Sequence, residues 1–124
     1  MRGKKIVLDL EFIPYRRKQE PYCVHEIIEI GAVALDADNE IYDEFQMYVK
    51  PQYGTVPPFV TAITGITNEM LVGQVSFSEA MQAFEAWLPQ EDSYRFYTWS
   101  GSDQHVFQAE AEWKERPLLG NFYG

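Results

Sequence analysis

The sequence predicts a mixed α/β layer fold: three antiparallel strands, a fourth strand parallel to the first, and flanking helices. Two observations carry this prediction. Apolar, β-branched runs come first in the chain and end in a hairpin, and an amphipathic helix then separates the third strand from a fourth. A helix in that place permits a crossover that lays strand four parallel beside strand one.

Residues 4–12 read as strand one, and "HEIIEIGAVALD", residues 25–36, as strand two. "DADNE" has turn chemistry. "IYDEFQMYVKP" alternates, with Phe45, Met47 and Val49 on one face, as a half-buried strand does. Pro51, Gly54, Pro57 and Pro58 then break the sheet, and a proline at 57 or 58 suits the first turn of a helix. "FVTAITGIT" predicts a short helix ended by Gly65 and followed by another turn or two. "SFSEAMQAFEAWLP" is the clearest helix. Ser76 and Glu79 form a capping box, Phe77, Ala80, Met81, Phe84, Trp87 and Leu88 form a core-facing stripe, and Pro89 stops it. "YRFYTW", residues 94–99, reads as strand four. A last helix follows, with Ser100 or Ser102 as cap and Val106, Phe107 and Trp113 inward.

At 124 residues the chain is one domain, and 46% hydrophobic with 15% aromatic content argues against disorder. No apolar run reaches the ~20 residues of a membrane span, and the start lacks a signal-peptide layout, so no membrane partner and a cytoplasmic location are expected. The single Cys23 forms no internal disulfide and reads as inert, and no Cys/His cluster has zinc spacing. The net charge of −9 is uneven: residues 1–18 carry +4 and the remainder −13. An acidic protein binds polyanions poorly, so a phosphate-handling site here needs local Lys/Arg such as "YRRK", bound metal, or both.

The informative stretch is "IVLDLEFIP", which sets Asp9 and Glu11 inside an apolar strand. Alternation places both acids on one face and Leu8, Leu10 and Phe12 on the other. The plain reading is an edge strand with a solvated face; the sharper one is a pair of metal ligands. The same spacing recurs at Asp36/Asp38, Asp38/Glu40 and Glu110/Glu112, which read as a turn and an exposed helix, so context must decide. In sheets of this kind ligands collect at the carboxyl ends of the strands, where Asp9 and Glu11 sit and where Asp103 follows strand four. Asp103 alone has an equally good reading as a helix cap. Converging carboxylates without thiols suit Mg²⁺ or Mn²⁺, and two such ions roughly 3.5–4 Å apart activate water and stabilise a leaving oxygen.

"IVLDLEFIP", "HEIIEIGAVALD", "TAITGIT" and "TWSGSDQHVF", in this order and spacing, resemble the DEDD-type 3′–5′ exonucleases of the DnaQ-like superfamily. The enhanced-RNAi/KapD-like branch is the nearest, because its second acidic motif follows a Trp as here. The resemblance implies a ribonuclease H-like fold, metal ligation by Asp9, Glu11 and Asp103, and a single-stranded RNA or DNA 3′ end as partner. It also implies nucleotide contacts at Leu10 and Phe12, and at Thr64, Gly65 and Ile66, where relatives hold the terminal sugar and wedge a base. Without the resemblance, Thr64 to Ile66 read as a helix C-cap with Gly65 left-handed. Glu29 resembles a family-typical position and reads as a support for the sheet.

The family pattern continues with a histidine general base and a fourth acid, whereas this sequence reads "LLGNFYG" to Gly124 and offers only His25 and His105, neither in that setting. The expected domain, residues 1–124, therefore lacks the third motif and its helix and is incomplete at its C-terminal end. Two function classes follow. One is a divalent-metal-dependent 3′–5′ exonuclease domain releasing nucleoside monophosphates, weak or inactive as this chain. The alternative is a non-catalytic module that binds a nucleic-acid end or a protein, whose uncovered C-terminal face would favour self-association. A blander third reading is a soluble α/β domain whose acidic pair is surface decoration.

Overall fold

The computed structural model describes residues 4–16, 23–89, 94–98 and 101–114, excepting the side chains of 4, 16, 23, 101–104, 112 and 113. The elements run β1 (Lys4–Arg16), β2 (Cys23–Leu35), β3 (Ile41–Tyr48), α1 (Pro58–Thr64), α2 (Asn68–Leu71), α3 (Phe77–Trp87), β4 (Tyr94–Thr98) and α4 (Gly101–Trp113). They form a sheet of order β3-β2-β1-β4. β1 is antiparallel to β2 and parallel to β4, as the crossover requires. None of the described helices is long and apolar enough to cross a membrane.

β1 and β2 run past their expected limits as a two-stranded ribbon pairing Arg16 with Cys23. Pro14 is accommodated there because β4 stops opposite Leu8, so β1 has a ladder partner on one side only. The main core lies between the sheet and α3 and α4. Ile6, Leu8 and Leu10 of β1 and Ile27, Ile30, Ala32 and Ala34 of β2 meet Met81, Phe84, Val106 and Phe107 there. Phe84 is central, with the rings of Phe45, Trp87, Phe96 and Phe107 at 5.4–6.1 Å. The capping box of α3 is formed at both ends, Ser76 Oγ accepting from Glu79 N and Glu79 accepting from Ser76 N. The cap of α4 and Trp113 lie outside the described side chains, as do Cys23 and most of "YRRK".

β2 carries one extra residue. Glu11 pairs with Glu29 but Phe12 pairs with Ile27, so Ile28 is the bulged residue. Ile27 and Ile30 therefore both enter the main core, while Ile28 joins Ile13, Val56, Val60, Ile66 and Leu71 in a second, smaller core under α1 and α2. The carbonyl of Ile28 accepts from Val49 N at 2.8 Å, so the bulge leaves no orphan there.

Glu26 and Glu110 are the buried charged residues among those described. Glu110 corrects the expectation of an exposed helix face at 110 and 112: it is 1% exposed. Its Oε1 accepts from Ile27 N at 2.6 Å, and Lys114 Nζ lies 2.7 Å from its Oε2. Lys114 also pairs with Glu26 at 2.9 Å. Glu26 accepts from the backbone N–H groups of Gln52, Tyr53 and Gly54. A side chain at Gly54 would meet Ile13 Cδ1 at 2.9 Å and Glu26 Oε1 at 3.2 Å, so glycine is what lets the segment close on the carboxylate.

Gly54→Ala should lower unfolding free energy by roughly 1–3 kcal/mol through overpacking, measured by urea melts. Glu110 adds a pH dependence. Burial pushes its carboxyl from an ordinary 4.5 up to about 7, against the pull of the Lys114 ammonium. The folded state therefore prefers the protonated acid, and this contribution is full below about pH 4.5 and lost as pH rises through about 7. The stability of Glu110→Gln relative to the unsubstituted protein should rise across that window, by up to roughly 3 kcal/mol at about 1.4 kcal/mol per pH unit. Melts across the window check this, and a constant difference would refute it.

Candidate metal-binding carboxylate face

On the sheet face away from α3 and α4, the pairing register sets side chains in rows. Asp9 lies beside Gly31 and Gln46; Glu11 lies beside Glu29 and Tyr48; Val7 lies beside Val33 and Glu44. The alternation expected from "IVLDLEFIP" holds. Leu8 and Leu10 are buried and Phe12 half-buried, while Asp9 is exposed and Glu11 half-buried. Gly31 brings no side chain beside Asp9, so the carboxylate stands in an open depression bordered by Val7, Val33, Glu44 and Gln46.

Glu29 is the residue that sequence reasoning underweighted. It stands directly opposite Glu11 on the same face, a like-charge pairing that costs stability unless something compensates it. Its Oε2 accepts from Gln46 Nε2 at 2.8 Å, the sheet-supporting role expected of it. The signal was present in the "EIIEI" run, but the pairing with Glu11 depends on the bulge at Ile28.

Asp103 lies in the first turn of α4, and its side chain is outside the described set. The topology carries its main chain to the right end of the sheet: β4 stops opposite Leu8, one residue before Asp9, and α4 starts two residues before Asp103. Among the described residues no group of three or more His, Cys, Asp or Glu is arranged to hold a metal ion. The described donors on this face are carboxylates, a hard-oxygen set that fits Mg²⁺ or Mn²⁺ and would be relieved of mutual repulsion by one.

The expected nucleotide contacts fall in different surroundings. Leu10 is 3% exposed within the main core and Ile66 is 2% exposed within the second, so neither side chain is open to a ligand. Phe12 is half-buried, with its ring edge-on to His25 at 5.2 Å. Gly65 is left-handed at φ 79° and its N–H closes on Thr61 O, the C-cap geometry read from the sequence. Thr64 Oγ1 donates to Val60 O and accepts from Ile66 N. His25 is held below the ordinary imidazole range, first by burial and then by the charge of His105. Its register beside Pro14, in step with Phe12 and Ile27, puts it on the helix-covered face, away from the acids. His105 is exposed on α4.

The RNase T exonuclease family model matches residues 6–112. The DNA polymerase III subunit epsilon of Pasteurella multocida is 37% identical over 81 residues, which are 65% of this chain and 32% of that protein. The human 3′-5′ exoribonuclease 1 is 33% identical over 82 residues, 64% of this chain and 24% of that protein. The chain thus spans less than a third of the length of either relative. A solved 3′-exonuclease, described as recognising the 3′ end of the histone mRNA stem-loop, superposes with a TM-score of 0.67 at 25% identity, covering 90% of this chain and 53% of its own. The strand order, the DxE strand and the family match over most of the chain agree: this protein belongs to the RNase T exonuclease family.

Proposed function

We propose that the chain is a divalent-metal-dependent 3′–5′ exonuclease domain acting on the 3′ end of single-stranded RNA or DNA. One observation carries the reading: Asp9 and Glu11 share the open face at the point where β4 ends and hands the chain to the helix bearing Asp103. Asp9, Glu11 and Asp103 would hold the cation, Mg²⁺ or Mn²⁺, in the two-ion arrangement expected of the complete fold. When bound, the cation supplies Lewis-acid activation of water and neutralises charge on the scissile phosphate.

The chain's own residues do the rest. Main-chain groups at Leu10 and Gly65, and the exposed part of Thr64, are the places for a terminal nucleotide, since Leu10 and Ile66 turn their side chains into the cores and Phe12 shares the helix-covered face with His25. Neither His25, on the opposite face, nor exposed His105 is set to take a proton from water at the acids. A positioned general base contributes typically 10²–10⁴-fold, so slow turnover is expected of these 124 residues. An RNA substrate is suggested by the exoribonuclease and histone mRNA relatives, a DNA substrate by the polymerase subunit.

The test is digestion of 5′-labelled single-stranded RNA and DNA by the purified chain, in Mn²⁺ and in chelator. A ladder shortening from the 3′ end is expected in Mn²⁺, absent in chelator and in Asp9→Ala, and strongly reduced in Glu11→Ala. No cleavage in any condition would overturn the working-nuclease reading and leave an end-binding module of the same fold.

A further inference from the structure

Glu26 is fully buried, yet its carboxylate holds two distant parts of the chain together. One is the segment after β3, through the N–H groups of Gln52 at 2.9 Å and Gly54 at 2.7 Å. The other is the end of α4, through Lys114 Nζ at 2.9 Å. Lys114 is pinned further by Glu110 at 2.7 Å and by the Phe77 ring, 5.2 Å below its ammonium. Glu110 in turn takes Ile27 N–H, so α4 is tied to β2 twice. The charged groups facing Glu110 are Lys114 from its own helix and Glu26 from β2.

The two segments so joined carry the parts of the proposed site that β1 does not. The Gln52–Gly54 segment leads into α1, which ends at Thr64. Asp103 lies in the first turn of α4, seven residues before Glu110 and eleven before Lys114. A helix is stiff over the ~10 Å between Asp103 and Glu110, so its anchorage at one end fixes where the other end stands. Metal-ligand groups must be held to about 0.5 Å to work, which a helix docked by apolar contacts alone does not guarantee.

We propose that the Glu26–Lys114–Glu110 cluster is a positioning clasp: it sets the seat of α4 on β2 and thereby where the main chain at Asp103 stands relative to Asp9 and Glu11. This inference rests on the metal-site reading above. The clasp responds to protons, because docking of α4 transfers Glu110 from water to a buried site that favours its neutral form. Docking is therefore firmest below about pH 4.5, loosens as pH rises through about 7 and is level above that.

The experiment is Mn²⁺ affinity by titration calorimetry on the full chain, unsubstituted and as Lys114→Met, Lys114→Arg, Glu110→Gln and Asp9→Ala, each checked for folding by circular dichroism. Lys114→Met should weaken Mn²⁺ roughly tenfold, the low end for partners that orient metal ligands, and Lys114→Arg should restore most of it. The Mn²⁺ affinity of Glu110→Gln relative to the unsubstituted protein should rise from about pH 5 to about pH 7 and stay level from there to about pH 8. A purely structural role would lower melting temperatures while leaving these affinities alone. If Lys114→Met fails to fold, the Glu110→Gln comparison decides alone, and parallel pH courses overturn the clasp. Asp9-dependent binding that is indifferent to Lys114 and Glu110 overturns the clasp only. Binding unchanged in Asp9→Ala overturns the metal reading and the clasp together.

Discussion

One extra residue in β2 organises this molecule. A regular strand would send Ile27 and Ile30 to opposite faces, because side chains alternate with period two. The bulge at Ile28 brings both into the main core and turns Ile28 to the other side, where it meets Ile13. It lies between the row that holds Glu11 and the pair whose Ile27 N–H is taken by Glu110. The register of the acids, the split of the cores and the seat of α4 all meet within three residues.

The sheet consequently has two unlike faces. One is closed by α3 and α4 around Phe84 and follows ordinary burial physics. The other is covered at its far end by α1 and α2 and left open where Asp9, Glu11, Glu29 and Glu44 stand. Four carboxylates on an open face are tolerable in water, and their repulsion falls when a cation arrives.

Much of this was legible in the sequence because it depends on local pattern. The alternation of "IVLDLEFIP" gave the two faces of β1, the Ser76/Glu79 pair gave the start of α3, and Gly65 gave the end of α1. The crossover rule gave the parallel pairing of β4 with β1. Glu110 was misjudged for the opposite reason. Its burial is compensated by Lys114 one turn on and by the N–H of Ile27, more than 80 residues away, which no local window contains. Two charged residues on the buried stripe of α4 also weaken its apolar signal. Glu29 was visible, but its partner across the sheet was not, since one bulged residue decides which acid it faces.

The second core has a thermodynamic consequence of its own. Ile13, Ile28, Val56, Val60, Ile66 and Leu71 pack apart from the Phe84 cluster and meet it through the strands of the sheet. A small apolar group of this kind opens at a lower free energy than the whole domain, as a separate cooperative unit. On that physics α1 and α2 open before the main core does. Amide hydrogens of α1 and α2 are therefore expected to exchange by local opening, and those of the β1–β2 ladder by global unfolding.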